Sequence, residues 1–335
     1  MLVNIINRYP PLPKWDKKPD LCGMVSDSFV GIEVEVEGIR TRDTVFLFWS
    51  SKEDGSLRNG GREYVTHPIP ATYAPEALGE LQEFLTTRNP NHVFTNRTSI
   101  HIHLNVRDLS FKQLHAFSLV YVLVEKAFYR FAGRDRYKNI FCVPHADSID
   151  YQTVAKLMDY AKDEDSLSID DFIAIRNEFD RCRRYVGFNV KSVVPFGTVE
   201  FRHLRGTMDK EVITTWINLI LSIKKYVMET PYDNIIDTIH SINTTSQYEQ
   251  LLSRIFGGHK INIMYEGIEK DMYSALLYIK ETLNAKRISI LFLEQSSDKV
   301  ISSSFVTKFT RQVEEGPRKR APKDIKTIVI DENDF

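Results

Sequence analysis

Cysteine is rare in this 335-residue chain, with three copies at positions 22, 142 and 182. The odd count and wide, unpaired spacing exclude a disulfide framework and a zinc knuckle. That usage fits a reducing compartment, so the expected location is the cytoplasm, a host's cytoplasm if the source is viral. Neither sign of charge is in excess: 44 Lys and Arg against 45 Asp and Glu leave a net charge of -1. Wholesale electrostatic binding of nucleic acid or of an anionic membrane is thereby excluded. No apolar run approaches the ~20 residues needed to cross a bilayer. The apolar start, Leu2 to Ile6, meets Arg8 and Pro10 too soon to be a signal peptide. Asn96-Arg97-Thr98 and Asn243-Thr244-Thr245 match the glycosylation pattern and count as chance in a cytoplasmic protein. What is present in quantity is core material. Hydrophobic residues make up 42% and aromatics 11%, enough for one large domain or two modest ones.

Three short runs combine strand patterning with metal-site chemistry. They are Val30-Gly31-Ile32-Glu33-Val34-Glu35-Val36-Glu37, Ile100-His101-Ile102-His103-Leu104-Asn105 and Thr198-Val199-Glu200-Phe201-Arg202. Strand side chains alternate faces, so each run has one apolar side and one polar side. If the three share a sheet, one face is a hydrophobic core and the other an open floor of carboxylates, imidazoles and an arginine. Hard oxygen ligands with one or two imidazoles suit Mg²⁺ or Mn²⁺, and an adjacent arginine suits phosphate. The combination points to nucleotide chemistry. His101 and His103 would point the same way ~6.5–7 Å apart, wide for one ion. One is therefore expected to bind metal and the other substrate or phosphate.

The remaining pattern is α+β: a mainly antiparallel sheet, helices packed on one face, and an open catalytic face. Residues 1–28 read as an N-terminal arm. Further strands are expected at Thr44–Ser50 and Arg62–Thr66, separated by a turn-rich loop at Glu53–Gly61. Helices are expected at about Pro75–Thr87 and from the N-cap Ser110 to about Phe131, where Gly133 stops the second. Residues 150–182 suggest two more. Gly187–Val194 and Gly197–Leu204 suggest a hairpin turning at Pro195-Phe196-Gly197. Asp209 is placed to cap a helix through about Met228. Residues 29–230 form the expected catalytic domain and 231–295 a helical extension, with helices near 245–256 and 268–284. Residues 296–335, with Ser302–Ser304 and Arg318-Lys319-Arg320, read as a flexible tail ending in acidic residues, the one place where nucleic acid could be attracted.

Each piece alone also has an ordinary reading. Glu33, Glu35 and Glu37 fit an edge strand in water. Glu200 and Arg202 fit a cross-strand charge pattern, Arg181, Arg183 and Arg184 a solvated cluster, Asp54 a plain turn, and Glu63 a surface carboxylate. Their order resembles the amidoligase family, a branch of the carboxylate–amine ligase superfamily that includes glutamine synthetase and glutamate–cysteine ligase. The matching pieces are Gly31-x-Glu33-x-Glu35, then Asp54-Gly55-Ser56-Leu57 with Glu63-Tyr64-Val65-Thr66-His67-Pro68. Ser99-Ile100-His101-Ile102-His103-Leu104-Asn105 comes next, with a long helix carrying Glu125. Arg184-Tyr185-Val186-Gly187-Phe188-Asn189 and the run from Gly197 to Asp209 follow. One departure is Ser99, where the family often has glycine; a side chain there would crowd the nucleotide or change the strand entry.

The resemblance implies a glutamine synthetase-like catalytic domain and an ATP-dependent ligase. Glu33, Glu35, Glu63, His101 and Glu200 would be metal ligands. His103 would lie nearer the nucleotide phosphates, Arg202 would hold the transferred phosphate, and Arg184 would hold phosphate or the acid substrate. Asp54 would sit near the substrate. The cofactors implied are ATP and Mg²⁺ or Mn²⁺; the partners are a small-molecule or peptide carboxylate and an amine. Two alternatives stay open: a phosphotransferase of the same superfamily, or an inactive fold kept for interaction. The oligomeric state is not legible.

Overall fold

The computed structural model describes residues 9–41, 46–145, 164–262 and 265–282. These belong to one compact unit, α+β in class, with a sheet that is antiparallel throughout its described ladders and eight α-helices among the described residues. The strands are β1 (Phe29–Val36), β2 (Trp49–Glu53), β3 (Arg62–Thr66), β4 (Ile69–Pro70), β5 (Ser99–Asn105), β6 (Phe188–Asn189) and β7 (Thr198–Arg205). They lie in the order β2-β3-β1-β5-β7-β6, with β4 paired to β1. The three strands that carry the metal-type residues are therefore side by side at the centre.

The helices are α1 (Ala74–Arg88), α2 (Phe111–Ala132), α3 (Ile169–Arg181), α4 (Val193–Phe196), α5 (Lys210–Glu229), α6 (Tyr232–Ser241), α7 (Thr245–Phe256) and α8 (Ile268–Thr282). Local chemistry sets their ends. Ser110 opens α2 with a capping box: its hydroxyl accepts from Gln113 N at 3.2 Å and Gln113 Oε1 accepts from Ser110 N at 2.9 Å. Asp209 opens α5 by accepting from Glu211 N and Val212 N. The apolar stripes of α2 and α5 pack on one face of the sheet. There Phe117, Tyr121 and Phe128 of α2 and Trp216 of α5 meet Phe201 of β7. Ile32, Val34, Ile100, Ile102 and Leu104 are fully buried on this side. Removing each such side chain from water contributes about 1.5–3 kcal/mol.

Two expectations are corrected. The strand expected at Thr44–Ser50 begins only at Trp49, and residues 42–45 lie outside the described set. The amides of Leu47 and Phe48 donate to the Glu80 carboxylate at 2.6 and 3.0 Å instead of to a ladder. Phe46 meanwhile turns into Tyr64 and Phe84. The hairpin at 187–204 has a two-residue first arm, because Asn189 Oδ1 accepts from Lys191 N at 3.0 Å and takes the chain off the strand course. The short α4 follows, and Gly197 closes it at φ 66°. Helix α6 was not expected. Of the two helices read into residues 150–182, α3 is described; the other falls outside the described residues, as does the tail.

Residues 9–28 lie against the domain. Trp15 stacks on Phe48 with centroids 5.7 Å apart, Met24 is buried in the core, and the Tyr9 hydroxyl donates to Val193 O.

Candidate active site

Strand pairing brings the polar residues together on the face away from α2 and α5. On β1, Glu33 is opposite His101 of β5 on one side, and Glu35 is opposite Glu63 of β3 on the other. On β5, His103 is opposite Glu200 of β7 and, across β1, opposite Gly31. A Cβ at Gly31 would stand 3.4 Å from that of His103, so glycine keeps the floor clear there.

Glu33 is the hub. His101 Nδ1 is 3.0 Å from its Oε2, and His103 Nε2 is 3.4 Å from its Oε1. His101 Nδ1 is also 3.5 Å from Glu200 Oε1. Behind the hub, Ser99 donates its hydroxyl to Glu35 Oε2 at 2.6 Å and its amide to the same oxygen at 2.8 Å. The hydroxyl lies 2.8 Å from His101 Nε2 as well. The serine that departs from the family pattern thus links a carboxylate to an imidazole. Glu200 Oε2 accepts from Asn189 Nδ2 at 2.6 Å and Ser192 Oγ at 3.2 Å, while its Oε1 pairs with Arg202 Nη1. His103 Nδ1 is 2.9 Å from Thr198 Oγ1. At the far end, Lys52 Nζ is 2.6 Å from Glu63 Oε2.

Three overlapping groups here could hold a cation: Glu33, His103 and Glu200; Glu33, Glu63 and His101; and Glu35, Asp54 and Glu63. In each, the potential ligand atoms lie within 4.8 Å of one another. The two histidines fall into different groups, as their spacing on one strand requires. Asp54 does form an ordinary turn, accepting from Ser56 N at 2.7 Å, yet its carboxylate also completes the third group. Arg184 is exposed and stacks over Tyr185 at 4.8 Å, a ring that Arg202 faces at 5.8 Å. It stands beside Arg202 but forms no ion pair with the floor carboxylates among the described residues.

The charges of the floor act strongly on one another. Burial and the neighbouring Glu33 carboxylate push Glu63 up to about 8, against the opposing pull of Lys52. Burial would raise Glu33 too, but hydrogen bonds and charge from His101 and His103 outweigh it and hold Glu33 well below the usual range. Burial and the Glu33 charge thus favour the protonated form of Glu63 where the two carboxylates meet. Glu200 behaves like Glu33: burial raises it, and His103 and Arg202 overcome that and lower it. His103 is raised, because Glu33 and Glu200 outweigh its burial. A carboxylate-rich set with single imidazoles is the donor chemistry of Mg²⁺ or Mn²⁺, and a divalent cation would replace the proton on Glu63.

A pH dependence follows. Glu63 binds its proton more tightly folded than unfolded, so its contribution to stability is full below pH 4.5 and lost as pH rises towards about 8. His103, raised above 6.5, also loses its contribution on the alkaline side. Glu33 and Glu200 are lowered and lose theirs only below the ordinary carboxylate range. The metal-free protein is therefore expected to lose stability between pH 6 and 8.5. Mn²⁺ or Mg²⁺ should raise Tm more at pH 8.5 than at pH 6, since fewer protons then compete. Thermal melts at both pH values with and without the cation check this; an equal or smaller shift at pH 8.5 counts against a cation at Glu63.

Sequence reasoning missed Asn189 and Ser192 as holders of Glu200, and Lys52 as partner of Glu63. The register of β6 on β7 and of β2 on β3 would have found Asn189 and Lys52, since they face Glu200 and Glu63. Glu125 lies on the helix side, buried, accepting from Tyr121 Oη at 2.7 Å and His145 N at 2.5 Å. No helix among the described residues is long and apolar enough to cross a membrane.

No curated protein matches the sequence. The model of a family described as "Putative amidoligase enzyme" matches residues 49–224. The match runs from the first residue of β2 to within α5, and β1 precedes it. It contains the His-x-His strand and the Glu-x-Arg strand in the positions just described. Spanning just over half of the chain, it places this protein in the amidoligase family, a family of ligase-type enzymes.

Proposed function

We propose that the protein is an ATP-dependent carboxylate–amine ligase that forms an amide bond through an acyl phosphate. The observation that carries this reading is Glu33: one oxygen faces His101 and the other His103, so a single carboxylate joins two cation-type groups beside Arg202. Glu33, Glu35, Glu63, His101 and Glu200 are the residues that would hold Mg²⁺ or Mn²⁺. Bound there, divalent ions would neutralise phosphate charge and orient the transferred group.

A carboxylate is a poor electrophile, and its attack on the γ-phosphorus of ATP brings anion to anion. The substrate oxygen forms the new P–O bond, and the bond to ADP breaks. Arg202 is built to meet the charge that develops. Its Nε donates to Phe141 O at 3.2 Å and its Nη1 pairs with Glu200; Nη2, which has no hydrogen-bond partner among the described residues, is assigned to an incoming phosphoryl oxygen. His103 and Arg184 are assigned to phosphate contacts at the same edge. The amine then attacks the acyl carbon, the C–O bond to phosphate breaks, and the amine proton passes to a carboxylate. Asp54, half-buried on the β2–β3 turn, is assigned that proton.

The test is ADP release across a panel of amino acids and peptides as acids, with and without added amines. ADP that appears only when acid and amine are both present supports the ligase. ADP formed at full rate with the phosphate acceptor alone makes the protein a phosphotransferase. No Mg²⁺-dependent ATP binding by calorimetry overturns both.

A further inference from the structure

Arg202 sits in an irregularity of β7. Ile100 of β5 is opposite Leu204 and Ile102 is opposite Phe201, so two residues of β7, Arg202 and His203, face one residue of β5. Alternation from Glu200 keeps Arg202 on the polar floor and His203 in the aromatic core, where its ring lies 5.7 Å from Tyr121 and 5.4 Å from Trp216, and the bulge then turns Leu204 to the core side opposite Ile100. A bulge breaks the ladder locally and leaves its carbonyls to be satisfied elsewhere. Here both are taken by one side chain. Arg136 Nη2 donates to Arg202 O at 2.8 Å, and Arg136 Nε donates to His203 O at 2.7 Å.

Arg136 lies in the 3-10 turn Arg134–Lys138 that follows α2 and is 2% exposed. Among the described residues it has no carboxylate partner. A buried guanidinium is costly to hold, and what this one holds is the backbone of the bulge. The same loop reaches Arg202 twice more. Phe141 O accepts from Arg202 Nε, and Val143 bridges to Val186. Gly187 N then donates to Val143 O at 2.8 Å while Gly187 O accepts from Arg202 N at 2.9 Å. Main chain and guanidinium of Arg202 are thus both fixed by the segment from Arg136 to Val143.

We propose that Arg136 is a positioning residue for Arg202: its two-pronged hold on the bulge carbonyls sets where the Arg202 guanidinium stands over the acidic floor. Planar, double donation is what lysine cannot reproduce, so Arg136→Lys keeps the charge and removes the fork. The functional consequence rests on the reading of Arg202 as a phosphate-holding side chain; the positional claim does not.

The experiment uses the full chain without ligand. The Nε–H resonance of Arg202, assigned by its loss in Arg202→Lys, is followed in the wild type and in Arg136→Lys, together with the amides of β5. Exchange of the Arg202 Nε proton is expected to quicken about tenfold or more while β5 amides keep their protection. Unchanged Arg202 exchange overturns the proposal, as does equal loss of protection in β5, which would mark Arg136 as general core support. If Arg136→Lys does not fold, Arg136→Gln, which keeps an amide donor, is read in the same way. A second arm measures turnover, on an acid–amine pair that supports ADP release, in a double-mutant cycle with Arg202→Ala. Arg136→Lys should lower turnover about tenfold in the wild-type background and hardly at all without Arg202; equal loss in both backgrounds overturns the coupling. Should the wild type bind no ATP, the functional reading of the site fails, and the exchange measurement still decides the role of Arg136.

Discussion

Glu33→Gln is expected to abolish the Mn²⁺-dependent rise in Tm and the binding of Mg²⁺–ATP. Glutamine keeps the shape but removes the charge from a residue shared by two of the three cation-type groups. Loss of a residue that only orients a ligand costs about 10–100-fold in metal affinity, and loss of a shared ligand should exceed that. The same substitution carries a second signature that needs no metal. Glu33 is a principal cause of the raised Glu63 and of the raised His103. Without it both should move back towards ordinary values, and the alkaline loss of stability between pH 6 and 8.5 should flatten. Melts of the variant over that range, with and without Mn²⁺, read both effects. A variant that keeps the wild-type cation shift would remove Glu33 from the site.

Arg202→Ala is expected to lower turnover by ~10³-fold or more, the scale seen for arginines that stabilise phosphoryl transfer. Binding of Mg²⁺–ATP in the ground state should fall much less, because the side chain is assigned to charge that develops during transfer. Arg202→Lys should rescue poorly. The guanidinium at once donates to Phe141 O and pairs with Glu200, and in the proposed role it would also meet the phosphoryl group, a division that a single ammonium cannot make. Steady-state kinetics on the acid–amine pair that supports ADP release, beside calorimetric ATP binding, separate the two effects. Turnover near wild type in either variant would assign Arg202 to structure alone.

The chemistry of the site was legible in the sequence to the extent that it is local. Alternation along a strand is a property of the backbone, so Glu33 and Glu35, His101 and His103, and Glu200 and Arg202 could be placed on common faces before any tertiary contact was known. Caps are equally local, and Ser110, Gly133 and Asp209 end helices where their side chains or lack of one dictate. The strand Arg62–Thr66 and the helix Thr245–Phe256 follow their own patterns closely.

The tertiary structure decided what depends on partners distant in sequence. The strand order puts β1 between β3 and β5, and only that order makes Glu33 a shared ligand candidate and sets Glu63 against it. Strict alternation would turn Leu204 to the same side as Glu200 and Arg202. The bulge instead pairs it with Ile100, and Leu204 is buried at the cost of a regular ladder. Phe46 to Phe48 read as a strand by composition, yet Glu80 of α1 takes the backbone amides of Leu47 and Phe48 and the strand starts later. The roles of Asn189, Ser192, Lys52 and Arg136 are likewise set by register and loop contacts. An isolated residue type carries no record of the carbonyl or carboxylate that it will meet a hundred residues away, and those meetings are what turn three patterned strands into one site.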